Sequence, residues 1–153
     1  MAKEGLIDGV MQVDKVSCTQ MCSCLGSATA AVFGKNYQTA VSLARQTTTS
    51  AVYQDKVTLT TPALTGTYRV GWMATVDNTD DQGKFRLYNS TNAVVIQEEI
   101  RKIKTDNDRT SIGGFAEIIF TGAAKTLKIQ FADFIGGTAQ GIADARIEIW
   151  RVA

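Results

Sequence analysis

The chain contains no histidine. The commonest general base and the commonest metal ligand are therefore missing. Ser/His/Asp and Cys/His arrangements are excluded with them. Proline is nearly absent, with Pro62 alone in 153 residues. No run of about 18 apolar residues occurs, so no transmembrane helix and no membrane partner are expected. Charge of one sign is not concentrated anywhere. Lys and Arg are spread along the chain and the formal net charge is +1, so no nucleic-acid partner is expected. The start, Met-Ala-Lys-Glu-Gly, is polar, and no apolar stretch of signal type follows it. Synthesis in a cytoplasm without general secretory export is the expectation.

What is present is threonine, nineteen residues of it, in a β-branched composition that suits strands and disfavours helices. At 153 residues the chain is long enough for one domain with a real core. Period-two patterns run from about Ser50 to the end. Tyr68, Val70, Trp72, Ala74 and Val76 alternate with Thr67, Arg69, Gly71, Met73 and Thr75, the clearest strand in the chain. Tyr53, Val57 and Leu59 mark a strand that Pro62 closes, since proline lacks an N–H for the ladder. Phe85 and Leu87 alternate with Lys84, Arg86 and Tyr88. The stretch from Val94 to Ile103 reads as a long strand with a bulge, although Glu98 and Lys102 also have helical i, i+4 spacing. The last third holds three more runs, 115–121, 127–131 and 142–152. Polar turns at Asp77–Gly83, Asn89–Asn92 and Asp106–Gly114 separate the strands.

About eight strands with no helix-length pattern between them predict an all-β, antiparallel β-sandwich of jelly-roll type over residues 37–153. Val41 and Leu43 mark a possible short strand within a bridge from Asn36 to Thr49. Residues 1–36 read as an irregular N-terminal arm with an apolar set, Leu6, Ile7, Val10, Met11 and Val13, too rich for a solvated tail. It is expected either to pack on its own domain or to reach a neighbouring subunit. Both residues of Ile118-Ile119 are apolar, and Trp150 falls on the polar face of the last strand. Some second-face apolar surface therefore needs cover, from a homo-oligomer interface or from the arm.

Candidate chemistry is sparse. Cys18, Cys22 and Cys24 have no zinc or redox spacing, and three thiols cannot complete a four-thiolate site. Reduced thiols and interchain disulfides both stay open, because an odd thiol is left if any pair forms. Gly26 and Gly34-Lys35 are too far apart for a phosphate loop, and Asn36 stands where Ser or Thr would hold the metal. The Asp77–Gly83 loop lacks the EF-hand order and reads as a solvated turn. Glu98 and Glu99 point to opposite faces of one strand, so they form no glycosidase pair. Tyr88 and Trp150 are candidates to stack on a sugar or to fill an interface. No catalytic residue, metal or cofactor is expected.

Three segments carry a resemblance: Gly114-Phe-Ala-Glu-Ile-Ile-Phe120, Leu127-Lys-Ile-Gln-Phe131 and the closing Ala145-Arg-Ile-Glu-Ile-Trp-Arg-Val152. This pattern, spanning about residues 50 to 153, resembles the structural β-domains of tailed-phage virions, the capsid decoration or cement proteins and the head or tail fibres with jelly-roll or TNF-like sandwiches. The resemblance implies a non-enzymatic virion protein, a homotrimer, and a major capsid protein or another virion protein as partner. The attachment residues would then be Leu6, Ile7, Val10, Met11 and Val13 of the arm, with Cys18, Cys22 and Cys24 as links between arms. A receptor-binding fibre domain is the second reading.

Overall fold

The computed structural model describes residues 37–78, 82–102 and 109–152, together with the backbones of two short strands that precede them. Those two are β1 (Leu6–Ile7) and β2 (Val10–Met11), paired antiparallel with Ile7 opposite Val10. The intervening sequence is Asp8-Gly9, a strong short-range hairpin signal. Val13 and all three cysteines, Cys18, Cys22 and Cys24, lie outside the described residues.

Nine further strands form two sheets. They are β3 (Gln38–Ser42), β4 (Gln46–Thr48), β5 (Gln54–Thr60), β6 (Thr65–Asn78), β7 (Gln82–Asn89), β8 (Val94–Lys102), β9 (Thr110–Thr121), β10 (Thr126–Asp133) and β11 (Gln140–Arg151). The first sheet runs β3-β11-β6-β9, with β4 also paired to β11; the second runs β5-β10-β7-β8. All pairs are antiparallel. If β3 and β4 are counted as one interrupted strand, the orders are first-eighth-third-sixth and second-seventh-fourth-fifth. That is the strand order of a jelly roll. No helix among the described residues is long and apolar enough to cross a membrane.

The alternation that marked β6 in sequence is the alternation seen. Tyr68, Val70, Trp72, Ala74 and Val76 face the core, and Arg69, Gly71 and Met73 face out. Across the sandwich, Phe85, Leu87, Ile129 and Phe131 fill the other wall, all fully buried. Tyr68 and Phe120 meet edge to face with ring centroids 4.9 Å apart, a favoured aromatic geometry.

Three bulges set which residues point inward, because one extra residue reverses the side-chain parity of a strand. In β11 the register against β6 shifts between Ala143 and Arg146, and Asp144 takes a positive φ of 48°. Ile142 before the bulge and Ala145, Ile147 and Ile149 after it can therefore all be buried, although their parity differs. In β5 the extra residue is Lys56, buried next to Val57, with its ammonium donated to the Ala44 carbonyl. Burial lowers the Lys56 pKa, against an opposing pull from Asp144. In β8 the extra residue is Ile96, which packs against the core. The bulged strand expected from Val94 onward is thus present.

Two expectations need correction. Gly113-Gly114, read as part of a loop, lies inside β9. Its lack of side chains is what lets the strand pair: a Cβ on Gly113 would drive into the Trp72 carbonyl, and one on Gly114 would come 2.9 Å from Gln97 Oε1. The polar Thr47-Thr48-Thr49-Ser50 segment, read as a bridge, contributes β4, whose ladder runs Gln140–Thr48, Gly141–Thr47 and Ile142–Gln46.

Candidate interaction face

The outer face of the β3-β11-β6-β9 sheet is the feature that the fold leaves unfinished. Strand registers place four rows side by side. Tyr37 and Val41 come from the β3 end. Arg146, Glu148 and Trp150 come from β11, Arg69, Gly71 and Met73 from β6, and Phe115, Glu117 and Ile119 from β9. A surface sheet face normally alternates to polar residues. Here Val41, Met73, Phe115 and Ile119 are 50%, 52%, 65% and 67% exposed.

Gly71 is the centre of this face. It stands directly opposite Phe115 on one side and Glu148 on the other. Phe115 and Trp150 lean over it, edge to face at 6.1 Å. A Cβ on Gly71 would meet Phe115 Cε1 at 3.0 Å and Trp150 Cζ3 at 3.4 Å. The result is a shallow hollow of about 110 Å³ lined by Gly71, Trp72, Met73, Phe115, Arg146 and Glu148. Its floor is apolar and its rim is charged. Arg146 pairs with Glu148, Tyr37 donates its hydroxyl to Glu148 Oε1 at 3.0 Å, and Arg146 Nη2 donates to the Tyr37 hydroxyl at 3.2 Å. Arg69 and Glu117 pair at 3.5 Å farther along.

A strap crosses from this sheet to the other. Trp72 Nε1 donates to Gln97 Oε1 at 2.6 Å, and Gln97 Nε2 donates to the Phe115 carbonyl at 3.0 Å. Gln97 is on β8, so the strap joins the β8 and β9 edges where no ladder does. It also fixes the backbone that presents Phe115.

The other sequence-derived candidates are dispersed. Ile118 packs on the core while Ile119 faces out, so the apolar pair does divide between two faces. Trp150 joins the outer face and Tyr88 the opposite sheet, so these two aromatics do not share a site. Asp77, at the start of the loop weighed for calcium, is held by Arg45 through Nε at 2.9 Å and Nη2 at 2.7 Å, with Arg109 3.9 Å away. That hydrogen bond, opposed by burial and aided by the Asp77 charge, keeps the Arg45 pKa raised. Glu98 accepts the Tyr53 hydroxyl and Glu99 pairs with Arg101 at 2.7 Å, on opposite faces of β8 as the spacing implied. Among the described residues no group of three His, Cys, Asp or Glu side chains could hold a metal ion. The strap glutamine and the central glycine were missed in sequence. Gly71 had one available signal: it is the only residue without a side chain on the outward face of a strand flanked by Arg69 and Met73.

No family model matches the chain, and no curated protein matches it either. Solved structures do. The Eiger TNF of S. frugiperda overlaps 78% of this chain and 94% of its own, at 10% identity and a TM-score of 0.56. Looser overlaps include the C-terminal domain of EclA, a sugar-binding protein, covering 69% of this chain and 78% of that one at 16% identity and TM-score 0.45. The infectious bursal disease virus Gx strain structure covers 76% of this chain and 37% of that one, at 9% identity and TM-score 0.40. At such identities the likeness is one of fold. The chain is an antiparallel jelly-roll β-sandwich, similar in fold to that TNF structure.

Proposed function

We propose that the chain is a non-enzymatic virion structural protein that associates with copies of itself through the outer face of the β3-β11-β6-β9 sheet. In this reading it decorates or cements a phage capsid as a trimer seated where capsid subunits meet. The observation that carries self-association is the apolar hollow around Gly71, with Phe115, Met73, Ile119 and Val41 exposed about it. Each such side chain recovers part of about 1.5–3 kcal/mol when fully buried. Both subunits contribute at every contact, which is the scale needed against an association cost of roughly 4–15 kcal/mol. The rim pairs Arg69–Glu117 and Arg146–Glu148 carry both signs, so identical copies can meet there without net repulsion. The virion role and the trimer rest on the resemblance of residues 114–131 and 145–152. Attachment to the particle is assigned to residues 1–36, whose Leu6, Ile7, Val10, Met11 and Val13 would bury against the shell. Cys18, Cys22 and Cys24 would add links in oxidant.

Light scattering on the purified protein, with and without reductant, tests this. A trimer is expected in both conditions, with larger species added in oxidant if the thiols link arms. Phe115→Asp combined with Met73→Asp is expected to give monomers that keep the β-sheet circular dichroism spectrum. A wild-type monomer at micromolar concentration would remove the self-association reading. Deleting 1–36 is expected to abolish particle binding and spare the sandwich; unchanged occupancy would overturn the attachment assignment.

One observation favours the second reading, a receptor-binding domain of a fibre. The β4–β5 and β10–β11 connections are joined by Asp133 N to Ser50 O at 2.9 Å and Gly137 N to Thr49 O at 2.8 Å. This end of the sandwich presents Val52 and Ile135, 70% and 72% exposed. Binding of the isolated sandwich to host cells separates the two readings.

A further inference from the structure

On the opposite sheet, Arg86 is held by two aromatic rings and an amide, with no carboxylate bonded directly to it. Its guanidinium lies 3.7 Å from the ring centroid of Tyr53 and 4.4 Å from that of Tyr88. Its Nε donates to Gln130 Oε1 at 2.9 Å, and Gln130 Nε2 donates to Asp55 Oδ1 at 2.6 Å. Asp55 is itself paired with Lys128. Glu98, opposite Arg86 in register, accepts the Tyr53 hydroxyl. Both acids near Arg86 are therefore engaged elsewhere, and no carboxylate among the described residues lies within ion-pair distance of it. Two rings and one amide fix the guanidinium plane, while its two Nη atoms have no protein acceptor among the described residues. Lys84, on the same face of β7, is likewise unpaired with an acid. Its ammonium sits 5.4 Å from the Tyr53 centroid and 5.7 Å from that of Phe134.

A guanidinium already immobilised by stacking has little rotamer entropy left to lose, and its planar fork matches a carboxylate. The surroundings are rich in hydroxyl, amide and carboxylate groups. Thr60 and Thr126 hydroxyls meet at 3.3 Å, and Thr58, Asp55, Lys128 and Gln130 share the surface. Such a set suits the hydroxyls of a sugar better than an apolar partner. We propose that the outer face of the β5-β10-β7 strands binds a carboxylate carried on an acidic saccharide, with Arg86 as its anchor and Lys84 as the second cation. The site faces away from the assembly surface proposed above and stands independently of it.

The test is titration of the full chain with galacturonate trimer and with 3′-sialyllactose, followed by nitrogen-15 NMR of the Arg86 Nε signal. At least one acid is expected to bind and shift that signal. The neutral methyl ester of the same saccharide is expected to bind at least about tenfold more weakly, as loss of a charge-assisted hydrogen-bond pair implies. Arg86→Gln and Arg86→Lys are both expected to weaken the acid by a similar factor, the second because it keeps the charge and loses the fork. Lys125→Gln, outside both faces' anchor residues, is expected to leave saccharide binding at the wild-type level. The proposal is overturned if neither acid binds at 10 mM, roughly the weak limit of specific recognition. Equal binding of acid and ester, or wild-type affinity in both Arg86 variants, overturns it as well. The Phe115→Asp, Met73→Asp variant should bind like the wild type, so failure of assembly and failure of this site are told apart.

Discussion

Gly113 and Asp55 show how much single residues decide here. Gly113 has a φ of 151° and passes so close to β6 that a Cβ would overlap the Trp72 carbonyl and approach Met73 Cα at 2.9 Å. The obstacle is backbone, which cannot move aside without breaking the β6–β9 ladder. Gly113→Ala is expected to cost at least about 1–3 kcal/mol, read as a lowered midpoint in urea unfolding. Asp55 bears on pH. Burial pushes its carboxyl up, but hydrogen bonds from Lys128 and Gln130, with the charges of Lys128 and Arg86, outweigh that and hold it below its usual value. A carboxylate depressed in the folded state stabilises the fold above its unfolded pKa and loses that contribution as pH falls through its folded pKa. Asp55→Asn is therefore expected to lower Tm at pH 7, with the gap to wild type closing as pH drops below about 4. A constant gap from pH 7 to pH 3 would remove the ion pair as its cause. Tyr53 answers to the same cluster: burial first, then its hydrogen bond to Glu98 and the charge there, raise its phenol pKa well above the ordinary range despite Arg86.

Among the elements, β8 and β9 are joined by side chains where the sheets have no ladder. Gln97→Ala would leave the Trp72 indole N–H inside the sandwich without an acceptor, at a cost of about 1–3 kcal/mol. Replacement by Glu keeps an acceptor for the indole but loses the donor to the Phe115 carbonyl, and is expected to fall between the two in chemical denaturation. The strands themselves were largely legible in sequence, because Tyr68 to Val76 and Leu127 to Phe131 obey a strict period of two. Legibility failed where a tertiary contact overrules local chemistry. Gly113-Gly114 looks like a turn and is a strand, because the demand for glycine comes from a neighbouring backbone. Thr47-Thr48 looks like a loop and is an edge strand, because β11 supplies its partner from a hundred residues away in sequence. The interaction face was half legible: Trp150 and Ile119 broke the expected alternation, whereas Gly71 and Gln97 carry no periodic signal of their own. Arg86 was invisible as a site, since Tyr53, Tyr88 and Gln130 come from three separate strands or their ends.

At the scale of the molecule, the two walls of the sandwich have been given opposite surfaces. One is apolar with a charged rim; the other is a mainly polar lattice of threonines, ion pairs and stacked cations, with Val95 and Ile100 exposed along its β8 edge. The proposed assembly would hide the first and display the second. The closing of the fold has its own logic. Its first regular strand, β3, and its last, β11, lie side by side, with Ile149 opposite Gln38. Tyr37 and Val152 therefore leave the sandwich at the same corner. The order in which the strands are spelled along the chain is then not essential to the architecture. A short linker of about four residues, reaching roughly 13 Å, could join Val152 to Tyr37. New ends could open at Gly122, a positive-φ turn glycine where an added Cβ would meet nothing within 4 Å. Such a rearranged chain, starting at Ala123 and finishing at Gly122, is expected to recover the same β-sheet spectrum and cooperative melting. It would do so with the beginning of the protein moved across the sheet, from the β3 edge to the β9 edge at the same end of the sandwich.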